Sequence, residues 1–234
     1  MKKFRVLVAI LAMVAVTSSA ACGSTYTLFN TAYKQKLELG KDKFLIMPVD
    51  FHGFPTKLKL MLEVTIFAGF IATFGKYGVS LQPIKKGFEA AGFGNLSWQL
   101  AHGVFHVASF HKNPHLSKDR CRPWLGPMLA SIGKFANWVV GALKAAGVPI
   151  PEGYKFQYIL TAHVDKQGSA FFGKGMKYRV IGGIVDITNQ QIVAATWFNK
   201  SSMNNKAAYV AALGTLGKQL LKAFKPVFVP KKKG

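Results

Sequence analysis

Four of the six histidines fall in one stretch, HGVFHVASFHKNPH, as His102, His106, His111 and His115. Two histidines four residues apart on a helix project from one face, so His102 and His106 could share a divalent metal ion such as zinc. No glutamate lies between them, and the H-E-x-x-H pattern of a metal-dependent general base is therefore missing. The alternative is an exposed helix face that gains positive charge as the pH falls toward about 6. The sequence favours this alternative, and no cofactor is expected.

The remaining histidines lie close to aspartates along the chain. His52 follows Asp50 by two residues, and His163 precedes Asp165 by two. No G-x-S-x-G elbow supplies a serine nucleophile that such a pair could activate. We therefore assign no catalytic residue and expect a protein without enzymatic activity. A metal-assisted hydrolase that uses His102 and His106 is the competing hypothesis.

The amino terminus has the three-part layout of a secretory signal peptide over residues 1–21. Basic residues precede an apolar run from Val6 to Val16, and small residues follow this run. A bilayer-spanning helix needs roughly twenty apolar residues, so the run is too short to cross a membrane. The sequence thus predicts an exported protein whose leader is removed.

The residues Ser19-Ala20-Ala21-Cys22 resemble a bacterial lipobox, although Ser19 stands where leucine is usual. The resemblance implies that Cys22 is acylated, with chains such as palmitate, and becomes the mature amino terminus. Gly23 follows the cysteine, which by resemblance to Gram-negative lipoproteins implies the outer membrane, facing the periplasm. Ser19 and Ala21 also suit an ordinary signal peptidase, and cleavage by that enzyme would leave a soluble exported binding protein.

The charge balance favours polyanionic partners. Lysine and arginine number 31 against 9 acidic residues, a formal net charge of +22, and removal of the three basic leader residues leaves +19. Such an excess produces a positive field that salt screens. Outside the cytoplasm the candidates are anionic lipid, lipopolysaccharide and the carboxylates of peptidoglycan. No aromatic stacking motif of an RNA-binding sheet occurs, and no nucleic acid is expected.

The stretch KQGSAFFGKG, residues 166–175, is predicted to form the tip of a strand pair. Phe171 and Phe172 lie there between glycines and lysines. Two exposed rings flanked by positive charge would suit a membrane interface or a partner protein. The alternative is that both rings fold back onto the core.

The chain predicts an α/β fold, with α+β as the alternative. KFLIMPVDF is a buried strand, residues 57–75 form a core helix, and VSLQP is a second strand. Alternation of apolar and polar residues predicts a strand at 154–166 and a hairpin at 176–198 with a bulge at Gly182-Gly183. The spacing of leucines after residue 206 predicts a closing helix.

Three of these segments resemble the α/β domain of several envelope lipoproteins. KFLIMPVDF, YKFQYILTAHVDK and YRVIGGIVDITNQQIVAATWF look like the text shared by the TolB amino-terminal domain, CsgG and the lipoprotein activators of penicillin-binding proteins. Glutamine stands where that group usually has glycine in the turn of the strand pair. The resemblance implies a domain that binds or assembles and does not catalyse.

The predicted organisation has four parts. A signal peptide (1–21) and a tether (22–42) precede one α/β domain (43–226), which has a helical and basic insertion near 94–127; a basic tail (227–234) ends the chain. The predicted sheet is mixed, with a strand-helix-strand start, a carboxyl-terminal antiparallel hairpin and a closing helix. The predicted function is that of a lipid-anchored, non-catalytic binding or assembly factor in the cell envelope.

Overall fold

The computed structural model describes residues 26–29, 37–38, 44–96, 99–100, 118–170, 175–189, 191–203 and 205–229. The strands are β1 (Tyr26–Phe29), β2 (Leu37–Glu38), β3 (Phe44–Ile46), β4 (Asp50–His52), β5 (Gly78–Ser80), β6 (Tyr158–Ala170), β7 (Gly175–Asp186), β8 (Gln191–Met203) and β9 (Phe228–Val229). The α-helices are α1 (Thr56–Phe74), α2 (Gly87–Ala90), α3 (Lys118–Ala145), α4 (Lys206–Leu213) and α5 (Leu216–Phe224).

Seven of the described strands form one mixed sheet in the order β1-β8-β7-β6-β3-β5, with β4 also paired to β6. β3 is parallel to both β5 and β6, whereas β6, β7, β8 and β1 pair antiparallel in succession. The predicted fold class is thereby confirmed: the start is strand-helix-strand (β3, α1, β5), β7 and β8 form the hairpin, and helices close the chain. β2 and β9 form a separate parallel pair.

Helices pack on both faces of the sheet and give the domain two core layers. α1, α4 and α5 contribute Phe70, Leu213 and Leu220 to the core on one face. On the other face, α3 presents a stripe of apolar residues at helical spacing, all fully buried: Ile132, Phe135, Val139 and Leu143. Because both faces are covered, the central strands are apolar on both sides.

α1 is apolar on most of its faces but buries only one of them. Its buried residues recur every four positions, as Leu62, Ile66, Phe70 and Phe74. On the opposite face, 60% of Leu60 and 75% of Val64 remain exposed. The helix is therefore a core helix, as predicted, with an open apolar side. Among the described residues, none of the helices has both the length and the hydropathy required to cross a membrane.

The bulge predicted at Gly182-Gly183 is wrong. These residues pair in regular register with Ala162 and Thr161 of β6, and the register shifts lie elsewhere, at Lys166/Gly168 and Ile184/Val185. The apparent change of phase arises because the apolar residues of β7 face two covered layers. α5 packs close to the strand at Gly182: a Cβ there would lie 2.5 Å from Leu220 Cδ2, so a larger residue would require the Leu220 side chain to shift.

Parts of the predicted tether and tail belong to the folded domain. Within 22–42, β1 pairs with β8 of the main sheet and β2 pairs with β9, which itself lies in the predicted tail. These short segments of the predicted tether and tail therefore pair as strands. Their partners are far away in sequence, so no local pattern marks them.

Two helix boundaries also differ from the prediction. α3 begins at Lys118, inside the predicted insertion, and it contains both Pro123 and Pro127. The closing helix is divided into α4 and α5 at Gly214 and Thr215. Asn205 caps α4 by accepting a hydrogen bond from the backbone N–H of Ala208 at 2.9 Å.

Candidate functional site

All the residues singled out for chemistry or membrane contact lie outside the described residues: Cys22, His102, His106, Phe171 and Phe172. Their roles stay predictions. The described part of the chain brings together a different polar set, built by β4 and β6. We call this set the histidine–aspartate ladder; it comprises Asp50, His52, His163 and Asp165.

The parallel register of β4 and β6 creates the ladder. Asp50 lies opposite His163, and His52 lies opposite Asp165. Because side chains alternate along a strand, both pairs project from the same face of the sheet. The Nδ1 of His163 is 3.0 Å from Asp50 Oδ2, and the Nδ1 of His52 is 3.1 Å from Asp165 Oδ1. The two imidazole rings stack at 6.3 Å between centroids.

The two pairs differ sharply in burial. The side chain of His163 is fully buried, whereas 64% of the His52 side chain is exposed. Gln167 also donates to Asp165 at the exposed end. We call His163 with Asp50 the inner pair. Its hydrogen bond contributes to the stability of the fold, whereas the exposed pair of His52 with Asp165 contributes little.

Charged side chains of α1 and of the segment after β5 form ion pairs with Asp50 and with one another. Lys59 Nζ lies 3.5 Å from Asp50 Oδ1 and 3.9 Å from Glu63 Oε1, and Lys85 donates to Glu63 at 2.7 Å. Burial by itself would raise the pKa of Asp50, but the hydrogen bond and charge of His163, together with Lys59, outweigh it and hold the pKa below its usual value. The carboxylate is therefore ionised at neutral pH.

A cleft of about 70 Å³ opens beside the ladder. Asp50, Lys85, Phe88 and Glu89 are among its lining residues. Ligand sites for small organic molecules usually have a volume of about 300 Å³ or more. The cleft therefore has room for a few water molecules and not for an organic substrate.

The ladder does not assemble a metal site. In the described ranges, no group of three or more histidine, cysteine, aspartate or glutamate side chains is arranged to hold a metal ion. Each histidine of the ladder instead directs Nδ1 to a carboxylate across the strands. These hydrogen bonds join β4 to β6, and the ion pair of Lys59 with Asp50 joins α1 to the same two strands.

A second polar contact joins β8 to α4. Lys200, on β8, donates a hydrogen bond from Nζ to the carbonyl of Ala212 at 2.8 Å, near the end of α4. Its ammonium also lies 5.6 Å from the centre of the Phe198 ring. Burial lowers the pKa of Lys200 to about 8. The charged form is thus disfavoured in the folded state relative to the unfolded chain.

Replacement of Lys200 by methionine is expected to change how stability depends on pH. A lysine whose folded pKa is lower than its unfolded pKa opposes folding below the folded value, and this opposition is relieved as the pH rises toward the unfolded value. Between pH 7 and 9.5 the full shift would give the wild type about 2 kcal/mol more unfolding free energy than Lys200→Met, and solvent screening of the partly buried side chain reduces this gain to about 1 kcal/mol. Urea titrations of both proteins at the two pH values measure this difference, and equal gains would contradict it.

The carboxylates of the described region are largely bonded within the chain. Asp50, Glu63 and Asp165 pair as described above, and Asp186 accepts from the backbone N–H and side chain of Asn189 at 2.9 and 2.8 Å. Most of the lysines whose side chains the structure describes, by contrast, are exposed to solvent: Lys57, Lys76, Lys86, Lys134, Lys144, Lys155, Lys166, Lys177, Lys218, Lys222 and Lys225. The surface therefore presents more positive than negative charge.

Neither the family models nor the curated proteins contain a match to this chain. Among solved structures, the PelC dodecamer from Paraburkholderia phytofirmans aligns with 89% of this chain and 99% of its own, at 9% identity and a TM-score of 0.44. Lipoprotein GNA1162 from Neisseria meningitidis aligns with 79% of this chain and 99% of its own, at 12% identity and a TM-score of 0.40. Likeness at this level assigns the chain to no family.

Proposed function

We propose that this protein is a lipid-anchored, non-catalytic binding or assembly factor of the bacterial cell envelope, acylated at Cys22 and facing the periplasm from the outer membrane. The observation that carries the proposal is the short distance in sequence between the lipobox and the fold. Only three residues, 23–25, separate Cys22 from β1, and β1 is a strand of the main sheet. Acylation at Cys22 would therefore hold the folded domain directly against the bilayer.

The surface charge supports an anionic binding partner. Exposed lysines are spread over the described surface, while four carboxylates are bonded internally. Anionic lipid, lipopolysaccharide and peptidoglycan are the proposed partners, and Phe171 and Phe172 are proposed to contact the membrane or a partner protein. Attraction to such partners weakens as salt rises.

The chemistry of the described residues supports binding rather than catalysis. The histidines and aspartates of the ladder are hydrogen bonded to one another, and the adjoining cleft is too small for an organic substrate. These hydrogen bonds stabilise the pairing of β4 with β6. Its geometry offers no nucleophile with a base to activate it among the residues described here.

Intact mass and membrane fractionation test the proposal. In a Gram-negative host, the mature protein should begin at Cys22 and carry a diacylglyceryl group and a fatty acyl chain, and it should partition with the outer membrane. Several acyl chains give firm attachment because each buried methylene contributes about 0.8 kcal/mol. The matched control is Cys22→Ala, which keeps Ser19 and Ala21 for ordinary cleavage and should become soluble.

Two results would contradict the proposal. An unmodified Cys22 in the soluble fraction would remove the anchor. A stoichiometric metal ion that is lost in a His102→Ala/His106→Ala double variant would instead favour the metal-assisted hydrolase. Metal analysis of the purified protein before and after the double substitution provides this second measurement.

A further inference from the structure

The direction of β1 determines where the chain leaves the fold toward Cys22. β1 runs antiparallel to β8, with Tyr26 opposite Trp197 and Phe29 opposite Ala194. Its amino-terminal end therefore points toward Met203, the last residue of β8. The four residues from Tyr26 back to Cys22 span at most about 14 Å. β8 continues for six residues beyond Trp197, or about 20 Å. An acyl anchor at Cys22 is therefore tethered within about 14 Å of Tyr26, at the end of β1 that points toward Met203.

The end of the sheet near Met203 is shared by three long strands. Gly175 pairs with Met203, and Ala170 pairs with Gly175, so β6 ends and β7 begins at the same level. We call this region the hairpin end, after the antiparallel pair of β6 and β7 and not after the β7–β8 pair. It is formed by residues 166–170, 175–178 and 200–203. The turn between β7 and β8, which includes the exposed Thr188, lies at the opposite end of the same strands.

The hairpin end carries exposed positive charge. Lys166 and Lys177 are both exposed, on neighbouring strands. The carboxylates nearest to them along the sheet are Asp165 and Asp50, which accept hydrogen bonds from His52 and His163. Aspartate side chains at this level are thus already engaged, and the two lysines are available to an anionic surface.

From these observations we infer that the hairpin end faces the membrane and that Lys166 and Lys177 contact an anionic phospholipid surface. The inference rests on the proposed acylation of Cys22, which brings the bilayer to this end of the sheet. Charge complementarity then favours anionic over zwitterionic lipid. The turn at Thr188 then lies at the end of the sheet farthest from the bilayer, and α1 and α5 pack on one face of the sheet between the two ends.

Fluorescence quenching in vesicles tests the orientation. The acylated protein, with Cys121→Ser and either Lys177→Cys or Thr188→Cys, is labelled with bimane and incorporated into phosphatidylglycerol and phosphatidylcholine vesicles. Lipids with a nitroxide on the headgroup should remove most of the fluorescence at position 177 and little at 188. Quenching at 188 equal to or greater than that at 177 would overturn the inference while leaving the anchor intact. Failure of the chain to be acylated or to float with vesicles would instead count against the proposed function.

Vesicle binding without the anchor tests the charges separately. Cys22→Ala protein should bind phosphatidylglycerol vesicles, and Lys166→Gln/Lys177→Gln should weaken this binding by roughly tenfold. Lys218→Gln/Lys222→Gln, on the exposed side of α5, removes the same charge from a different surface and is expected to have a much smaller effect. Equal losses in the two double variants, or no binding of the Cys22→Ala protein, would overturn the assignment of the lipid contact.

Discussion

Replacing Gly78 by alanine is expected to lower the free energy of unfolding by about 3 kcal/mol, through overpacking against the neighbouring strand. Gly78 begins β5 and lies opposite Phe44 of β3. A Cβ at this position would lie 2.5 Å from the Phe44 carbonyl oxygen and 2.6 Å from its Cβ. Neither atom is the end of a flexible side chain, so β3 and β5 would have to separate. This would disturb the strand-helix-strand unit on which α1 packs.

The matched control is alanine at Gly141, near the carboxyl end of α3. A Cβ there meets no atom within 4 Å, and the residue is exposed. Because alanine has the higher helix propensity, Gly141→Ala is expected to add up to about 1 kcal/mol. Urea unfolding of both variants gives the comparison. A Gly78→Ala protein as stable as the wild type would show that β5 can move away from β3 at little cost.

The elements that could be predicted are those marked by local pattern. The alternation in β6 and the helical spacing of leucines after residue 206 depend only on neighbouring residues, and both predict the right type of element. β6 runs over Tyr158–Ala170 in place of 154–166, and the closing helix is divided into α4 and α5. β1 could not be predicted, because its four residues become a strand only by pairing with β8. The start of α3 was missed because Pro123 and Pro127 signal a helix boundary, and tertiary context overrides that signal.

The histidine–aspartate ladder was missed for a related reason. Along the chain, each histidine lies two residues from an aspartate, which suggests local pairs. The actual partners are 113 residues apart and meet only through the parallel register of β4 and β6. The sequence does contain a signal for this pairing. One strand has the order D-x-H, and the other has the reverse order, H-x-D. In parallel strands this order places each histidine opposite a carboxylate on one face.

Removal of the carboxylate of the inner pair is expected to destabilise the fold by about 2–3 kcal/mol at pH 7, because the buried His163 would lose a charged hydrogen-bond partner. Asp50→Ala makes this change, and it also removes the contact with Lys59. Asp165→Ala is the matched control in the same ladder. Its partner, the His52 side chain, is 64% exposed, so the expected cost is below about 1 kcal/mol.

The effect of Asp50→Ala should become smaller in acid. The folded pKa of Asp50 is lower than its usual value, so the stability that this carboxylate contributes is complete above the unfolded pKa and is lost as the pH falls through the folded pKa. The difference in unfolding free energy between wild type and Asp50→Ala should therefore be complete at pH 7 and at pH 5, and it should be smaller at pH 3, below the usual pKa of aspartate. Urea titrations at these three pH values measure the difference. A constant difference would mean that Asp50 stabilises the fold through packing and not through its charge. Equal effects of Asp50→Ala and Asp165→Ala would mean that burial of His163 adds nothing to the inner pair.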